Sequence, residues 1–510
     1  GVAPLSLGLL TEDEAVALLA RLSGRRRVDA EPAEAVMVAR HCGLLPLAVR
    51  IAGARLRARP SWPIAALARR LADERDRLWQ LRAGELAVRA SFQLSYRNLD
   101  AAEARTFRLL GLLEGPDATP EVAAALTEAT VSDAEAVLER LVDAQLLETP
   151  SVDRYRFHDL LRLFARERAE AEEDECGRDA ALARALGWYL ATAEQANELL
   201  KPIPLRTSDQ RGGGRLFADQ RAALDWLETE RANLVAAVKQ AAAQAPTPVA
   251  SVAWRLSETL IRFFYLRRHM SDWQEVSEVA LRVAQRSGDR PAQAGPRNSL
   301  GVIRFEQRRF DEAVASYEES LAIYREGGNR ARERMVLNNL GSVHWEQRQF
   351  DKAISLFQRS LAISQELGDR SGEGQVLNNL GSVHREQQHF KMAIGCLRRS
   401  LEISREVGDR PNEGRALNNI GDVYRDQQRF ERAITSYEHA LEIFRELGAR
   451  HSEGLVLWAL GLAVEASRGA ASAQPYWAEA LRILTSLTAP QAAQVRELLE
   501  ASYKATNSSA

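Results

Sequence analysis

Asparagine residues recur at a fixed spacing in the C-terminal half of the sequence, and their amide groups could bind the backbone of a peptide. Successive members lie 40 residues apart, and in three of the four units a second asparagine follows directly. An amide both donates and accepts hydrogen bonds, so such a series can hold an extended or helical peptide without selecting one side chain. The same residues could instead cap or bridge neighbouring units; because adjacent pairs recur, we expect one to bridge and one to face a groove. The residues are Asn298, Asn338, Asn339, Asn378, Asn379, Asn418 and Asn419.

Three arginines add positive charge near these asparagines: Arg385, Arg415 and Arg425. Guanidinium groups bind carboxylates well, so these arginines would favour acidic ligands, although exposed arginines are more commonly part of a solvated face. The candidate site is therefore a groove for a protein or peptide partner.

The other reactive side chains form no catalytic or metal-binding pattern. The eight histidines are scattered, and Cys42, Cys176 and Cys396 lie far apart without metal-ligand spacing. No Ser–His–Asp or Cys–His set follows from spacing. We expect no enzyme activity, no metal, and a reduced, cytoplasmic chain.

Charge and hydropathy exclude two classes of partner. With 68 Lys and Arg against 70 Asp and Glu, the net charge is -2, so no global basic field would hold nucleic acid. No apolar run approaches the ~20 residues of a membrane helix. We expect no membrane contact.

Glycines with the same spacing indicate a repeated helical unit. They are Gly301, Gly341, Gly381, Gly421 and Gly461. Between them, apolar residues recur at helical spacing in two segments per unit, which predicts two amphipathic helices. Small Gly341 and Ala353 should let the two helices approach closely, and Gly368 should supply a left-handed cap.

This unit resembles the long variety of the tetratricopeptide repeat, whose small, aromatic and alanine positions are present in Gly341, Phe350, Ala353 and Phe357. The resemblance implies an α-solenoid over 251–490, with the first helices, and hence the asparagines, on its inner wall.

The N-terminal third has a different pattern. Helices are expected at 5–23 (with a capping run at 11–14), 32–41 and 47–59, and then near 85–97, 100–113, 119–128 and 133–145. A hairpin at 146–158 and a helix at 159–172 follow. Helices followed by a small wing indicate a winged helix.

Two short motifs in this region resemble those of the NB-ARC type of STAND nucleotide switches. The segment 43–48, Gly-Leu-Leu-Pro-Leu-Ala, matches the glycine–proline signature of that family's first helical ARC subdomain, and Phe157-His158-Asp159 stands at the Met-His-Asp position. The resemblance implies that Pro46 packs beside adenine, that His158 reaches the β-phosphate of ADP, and that Asp159 is the helix cap. The alternative is that His158 is an ordinary loop histidine.

The sequence departs from that family at the phosphate-binding loop. It contains no GxxxxGK[ST] and no Gly-Lys dipeptide, so we expect no cofactor in this chain itself. ADP or ATP with Mg²⁺ would bind only with a nucleotide-binding core supplied elsewhere. The candidate recognition helix carries Asp133, Glu135, Glu139 and Asp143, so DNA would be read only by domains outside this chain.

The residues around 223–234, including Trp226, Glu230 and Asn233, resemble the connector of the large AfsR-type antibiotic-regulatory proteins of actinobacteria. The predicted fold is predominantly all-α. Its domains are an ARC-like helical subdomain (1–85), a winged helix (86–174), a connector with a flexible loop at 201–215 (175–250), the repeat array (251–490) and a fraying tail (491–510) that is polar from residue 504.

The predicted function is the sensor and control half of a STAND-type transcriptional regulator. A partner in the groove would gate a nucleotide-binding core outside this chain. The alternatives are a freestanding tetratricopeptide adaptor and a peptide receptor, neither with a nucleotide role.

Overall fold

The computed structural model describes residues 10–72, 82–83, 86–200, 216–244, 248–487 and 489–508. These fall into two compact units. The first holds the described residues up to Glu194 together with Asp225–Thr259, and the second holds those of Gln195–Leu224 and from Leu260 onward. The predominantly all-α fold is confirmed, and none of the described helices combines the length and apolar character of a membrane span.

Five helices open the described part of the first unit: Glu12–Ser23, Arg25–Ala30, Pro32–His41, Pro46–Arg57 and Ile64–Ala72. The first is fixed by a capping box, in which Thr11 Oγ1 accepts from the Glu14 N–H at 3.3 Å and Glu14 Oε2 accepts from the Thr11 N–H at 2.8 Å. The helix therefore begins at Glu12 and not at residue 5; residues 5–9 of that prediction lie outside the described range. Strands Arg82–Ala83 and Leu86–Ala87 pair antiparallel after these helices.

The next segment has the predicted order of helices, hairpin and helix. Its elements are Val88–Arg97, Ala101–Leu110, Pro120–Thr127, Val131–Asp143, strands Glu148–Ser151 and Arg154–Arg156, and Asp159–Glu172. Ala118 and Tyr155 exchange backbone hydrogen bonds of 2.8 and 2.9 Å, which ties the hairpin to the loop before Pro120–Thr127. Phe107 packs its ring 5.2 Å from Phe157 and 6.1 Å from Phe164, and so joins the first helices to the last.

The connector contains helices Glu175–Leu200, Gln220–Thr229 and Arg231–Ala243 and the 3₁₀ turn Pro248–Ala250. The predicted flexible loop at 201–215 lies outside the described residues.

The array consists of paired helices. Repeat 0 pairs Ser251–Arg267 with Met270–Arg286, repeat 1 Ala294–Glu306 with Phe310–Glu326, and repeat 2 Arg330–Glu346 with Phe350–Leu367. Repeat 3 pairs Arg370–Glu386 with Phe390–Val407, repeat 4 Arg410–Asp426 with Phe430–Glu446, and repeat 5 Arg450–Arg468 with Ala470–Ser486. The 3₁₀ turn Pro291–Gln293 precedes repeat 1.

The fraying tail predicted at 491–510 is corrected, because Gln491–Ser508 forms a helix. Val495 is fully buried, and Ala492 and Leu499 are 9% exposed against the core of repeats 4 and 5. This helix covers the apolar face that the last repeat would otherwise present to water, as a capping helix of a solenoid does.

Glycine in the first helix of repeats 1 to 5 permits the close approach predicted for Gly341. A Cβ on Gly341 would lie 2.6 Å from Cε1 of Phe357, and one on Gly421 would lie 2.6 Å from Cε1 of Tyr437. Such distances are far below van der Waals contact. The bulky residue of the second helix therefore fits only because the first helix has no side chain there.

We expect Gly341→Ala to lower the free energy of unfolding of the array by about 1–3 kcal/mol, because Phe357 must leave its position. Gly395→Ala is the matched control. Gly395 lies within the helix Phe390–Val407 with open space around it, so alanine should stabilise that helix by up to about 1 kcal/mol. Urea unfolding followed by circular dichroism measures both; equal effects of the two substitutions would contradict the packing argument.

Candidate functional site

The glycine–proline segment forms a strained turn between two helices. Gly43 and Leu44 both have positive φ, 60° and 58°. The Gly43 N–H donates to Arg40 O at 2.8 Å and the Leu44 N–H to Ala39 O at 3.1 Å. Leu45 then returns to extended geometry as the N-cap residue, and Pro46 is the first residue of the next helix, where its fixed φ and missing N–H cost nothing.

His158 contacts this turn from the winged-helix segment. Its Nδ1 accepts from the Leu160 N–H at 3.4 Å, so in the neutral imidazole the proton lies on Nε2, which donates to the carbonyl oxygen of Gly43. A Cβ on Gly43 would overlap the imidazole ring. Gly43 is therefore required twice, for its positive φ and for the space that the ring occupies.

The structure thus brings together the two motifs that the sequence analysis singled out separately. It also corrects one role, because the N-cap of Asp159–Glu172 is His158 and Asp159 is the first helical residue. The Asp159 carboxylate still lies in the first turn, where the helix dipole favours negative charge. That Pro46 and His158 contact a nucleotide stays a prediction.

A buried polar cluster joins the wing to the connector, and the sequence analysis did not propose it as a site. The Arg154 guanidinium pairs with Glu230, lies 3.1 Å from Asp117 Oδ1 and donates to Thr229 O at 3.0 Å. Asn233 Nδ2 donates to Asp117 Oδ1 and to Glu230 Oε2, both at 2.8 Å. We call Asp117, Arg154, Glu230 and Asn233 the wing clamp.

Burial dominates the electrostatics of the wing clamp. Arg154 is 8% exposed, and Glu230 and Asn233 are each 2% exposed. Burial raises the pKa of the Glu230 carboxyl, and the charge of Arg154 only partly opposes this. The sequence carried one signal for this cluster, because Glu230 and Asn233 lie beside the apolar residues Leu234, Val235 and Val238. Their partners could not be predicted, because they lie more than 70 residues away in sequence.

The asparagines form a continuous ladder along the array. Nδ2 of Asn339 donates to Oδ1 of Asn298 at 3.1 Å, and Nδ2 of Asn379 donates to Oδ1 of Asn338 at 2.9 Å. Nδ2 of Asn419 donates to Oδ1 of Asn378 at 3.1 Å.

Both members of the pairs Asn338/Asn339 and Asn378/Asn379 therefore bridge repeats, which corrects the expectation that only one would. The first member still differs from the second. Among the described residues, the Nδ2 groups of Asn338 and Asn378 donate to no protein acceptor, so each retains N–H donors for a ligand. The last pair differs, because Nδ2 of Asn418 lies 3.4 Å from Oδ1 of Asn419.

Two of the three predicted cationic residues are already neutralised. Arg385 lies 3.0 Å from Asp422 and 3.7 Å from Asp426, and Arg425 lies 3.3 and 3.6 Å from the same two carboxylates. Burial alone would lower the pKa of Arg425, but Tyr437 and the two aspartates raise it. These ion pairs argue against Arg385 and Arg425 as sites for acidic ligands, which stays a prediction. Arg415 is exposed and donates to Asn412 Oδ1 at 3.2 Å.

Among the described residues, no group of histidine, cysteine and carboxylate side chains could hold a metal ion. The ladder offers amide donors, and the turn at Gly43 and the wing clamp contact the winged-helix segment at two places.

Comparison with known proteins agrees with this division. Tetratricopeptide repeat models match residues 297–326, 332–406 and 407–486. The regulatory protein AfsR of Streptomyces coelicolor is 36% identical over 362 residues, which is 62% of this chain and 36% of that protein. AfsR of Streptomyces griseus is 39% identical over 324 residues, covering 62% and 33%. The chain thus spans about a third of the length of these relatives.

One solved structure shares the fold over nearly the whole chain. It is a signal transduction ATPase with numerous domains (STAND) that has a tetratricopeptide repeat sensor, from Pyrococcus horikoshii. The TM-score is 0.58 at 16% identity, covering 98% of this chain and 64% of the other.

We expect Arg154→Met to destabilise the first unit by about 3–5 kcal/mol, because it leaves the Glu230 carboxylate buried without a counter-charge. Arg156→Gln on the same strand is the control; its partner Glu148 is 38% exposed, so the loss should stay below about 1 kcal/mol. The double variant Arg154→Met/Glu230→Met should recover most of the stability. Equal urea midpoints for the two single variants would contradict this role.

Proposed function

Because the chain contains tetratricopeptide repeats and is similar over 62% of its length to the AfsR regulatory proteins of Streptomyces, we propose that it is the sensor and control half of a signal-transduction regulator of transcription. The observation that carries the proposal is the contact between His158 and Gly43, since it joins two motifs that in STAND switches surround one nucleotide.

The sensor is the concave face of the array. The free N–H donors of Asn338 and Asn378 lie one repeat apart and can satisfy successive carbonyl groups of a peptide or of a partner's backbone. Their carbonyl oxygens are already used between repeats. The ladder therefore presents donors in fixed positions, which lowers the entropic cost of binding.

The control element is the winged-helix segment. In a longer protein that supplies a phosphate-binding core, ADP with Mg²⁺ would occupy the side of the Gly43 turn. His158 could then donate from Nε2 to phosphate in place of the Gly43 carbonyl, in the favourable field of a helix N-terminus. Pro46 would supply an apolar edge beside the base. Partner binding in the array would shift this equilibrium through the connector and the wing clamp.

A role of the winged helix in reading DNA is disfavoured by charge. The exposed residues of the helix Val131–Asp143 include Asp133, Glu135 and Glu139, and Glu139 accepts from the Tyr155 hydroxyl at 2.5 Å. A phosphate backbone would be repelled by this face. We therefore assign DNA binding to domains outside this chain.

A freestanding adaptor or peptide receptor is the second candidate. It is favoured by one observation: both imidazole nitrogens of His158 have hydrogen-bond partners within this chain. Under this function, binding of a partner in the groove of the array would be the whole activity.

In the longer regulator, His158→Ala should raise basal transcriptional output several-fold, because the off state loses the bond from His158 Nε2 to the nucleotide. His439→Ala, which removes an exposed histidine in repeat 4, is the control. A reporter gene in the native host measures both. Basal output unchanged by His158→Ala would favour the adaptor.

Asn338→Asp separates groove binding from repeat stacking. The carboxylate keeps an acceptor for Asn379 but has no N–H to donate, so the response of the reporter to its inducing signal should fall at least tenfold while the melting temperature is kept. Asn379→Asp removes the stacking donor and should instead lower the melting temperature. A full response with Asn338→Asp would contradict ligand binding at the ladder.

A further inference from the structure

Arg262, in the first helix of repeat 0, is a cation without a counter-ion. Its guanidinium is half-buried, its Nε makes no hydrogen bond, and no carboxylate of the described residues lies within ion-pair distance. Burial lowers the pKa of Arg262, and only the more distant charge of Asp409 offsets this. Both Asp409 oxygens are already engaged, Oδ2 by the Ser371 hydroxyl at 2.9 Å and Oδ1 by the Asn412 N–H at 3.1 Å.

The repeat register places Arg262 on the same wall as the asparagine ladder. In repeats 0 to 4 the turn after the first helix contains a residue with positive φ, namely Arg268, Arg308, Arg348, Gln388 and Gln428. Counting six residues back from these turns aligns Arg262 with Val302, Ser342, Ser382 and Asp422. Both serines donate to the backbone carbonyls of the ladder residues Asn338 and Asn378.

In later repeats of the same wall, arginine side chains do have counter-ions. Arg385 and Arg425 have Asp422 and Asp426 within ion-pair distance. A partly desolvated guanidinium costs free energy unless an anion compensates it. Arg262 lacks that compensation, so an anionic group of a ligand would supply it.

Two exposed apolar side chains follow Arg262 on its own helix. Tyr265 and Leu266 follow it by three and four residues, on the same face, and are 48% and 47% exposed. At the Tyr265 position the next repeats carry Phe305 and Trp345, before the series changes to arginine. The wall is therefore aromatic at this end.

We propose that Arg262, Tyr265 and Leu266 form a terminal pocket of the groove that binds a peptide carboxylate beside an apolar side chain. The guanidinium takes the carboxylate, and the two apolar residues take the side chain next to it. This pocket deepens the proposed function, since it names the chemistry of the ligand that the groove would bind.

The test uses the full chain and three N-acetylated hexapeptide libraries that end in leucine or phenylalanine. One has a free C-terminal carboxylate, one is amidated, and one is amidated with a glutamate before the last residue; the other positions are uncharged. Affinity selection with mass spectrometry should show at least tenfold greater retention of a carboxylate-bearing library than of the neutral one. The first and third libraries distinguish a terminal carboxylate from a side-chain carboxylate.

Arg262→Gln should abolish this preference, whereas Arg359→Gln, an exposed arginine on a second helix, should keep it. Arg262→Met should not lower the melting temperature, because it removes an uncompensated buried charge; this controls for misfolding. Equal retention of all libraries by the wild type, no retention of any, or a preference that survives Arg262→Gln would each overturn the pocket. If the wild type retains all libraries equally and Asn338→Asp loses that retention, the pocket is overturned, but peptide binding in the groove is not.

Discussion

The array depends on one contact within the repeat, in which a glycine of the first helix lies against a bulky residue of the second helix. In repeats 1 to 5 it fixes the distance between the two helices, with Gly341 against Phe357 and Gly421 against Tyr437. Because these repeats then share one geometry, residues 40 apart come into register. The asparagine ladder needs that register, since bonds of 2.9 to 3.1 Å must form between successive repeats. The even spacing of the amide donors is therefore a consequence of close helix packing.

A second set of contacts repeats with the same period and stabilises the turns. Arg330 donates to Glu333 in its own helix and to Glu366 at the end of the next one, both within 2.6 Å, and Arg410 pairs in the same way with Glu413 and Glu446. Burial would raise the pKa of Glu333, but hydrogen bonds from Arg325 and Arg330 outweigh it and hold that pKa below its usual value. This contribution to stability is therefore present at neutral pH and is lost as the pH falls through the range where Glu333 takes up a proton.

The repeat could be predicted from the sequence because its signals are local and recur: glycine at one position, an aromatic residue at another, and a helical period between them. The motifs at Pro46 and His158 were also visible as short segments. Their contact was not, because it joins residues 115 apart. The pairing of Arg385 with Asp422, the wing clamp and the orphan Arg262 depend in the same way on which side chains the fold brings together. The last helix was missed because its apolar residues, Ala492, Val495 and Leu499, are few and need the face of repeat 5 to be buried.

The most direct measurement on this chain is the tautomer of His158, read from ¹⁵N chemical shifts of protein labelled at histidine and assigned with a His158→Gln variant. We expect a neutral imidazole with its proton on Nε2, whose Nε2 shift changes when Gly43→Ala displaces the ring. That result would establish the bond from His158 to Gly43, which joins the winged-helix segment to the ARC-like helices. The proposed control of a nucleotide switch rests on this bond. A proton on Nδ1, or a shift that Gly43→Ala leaves unchanged, would contradict it.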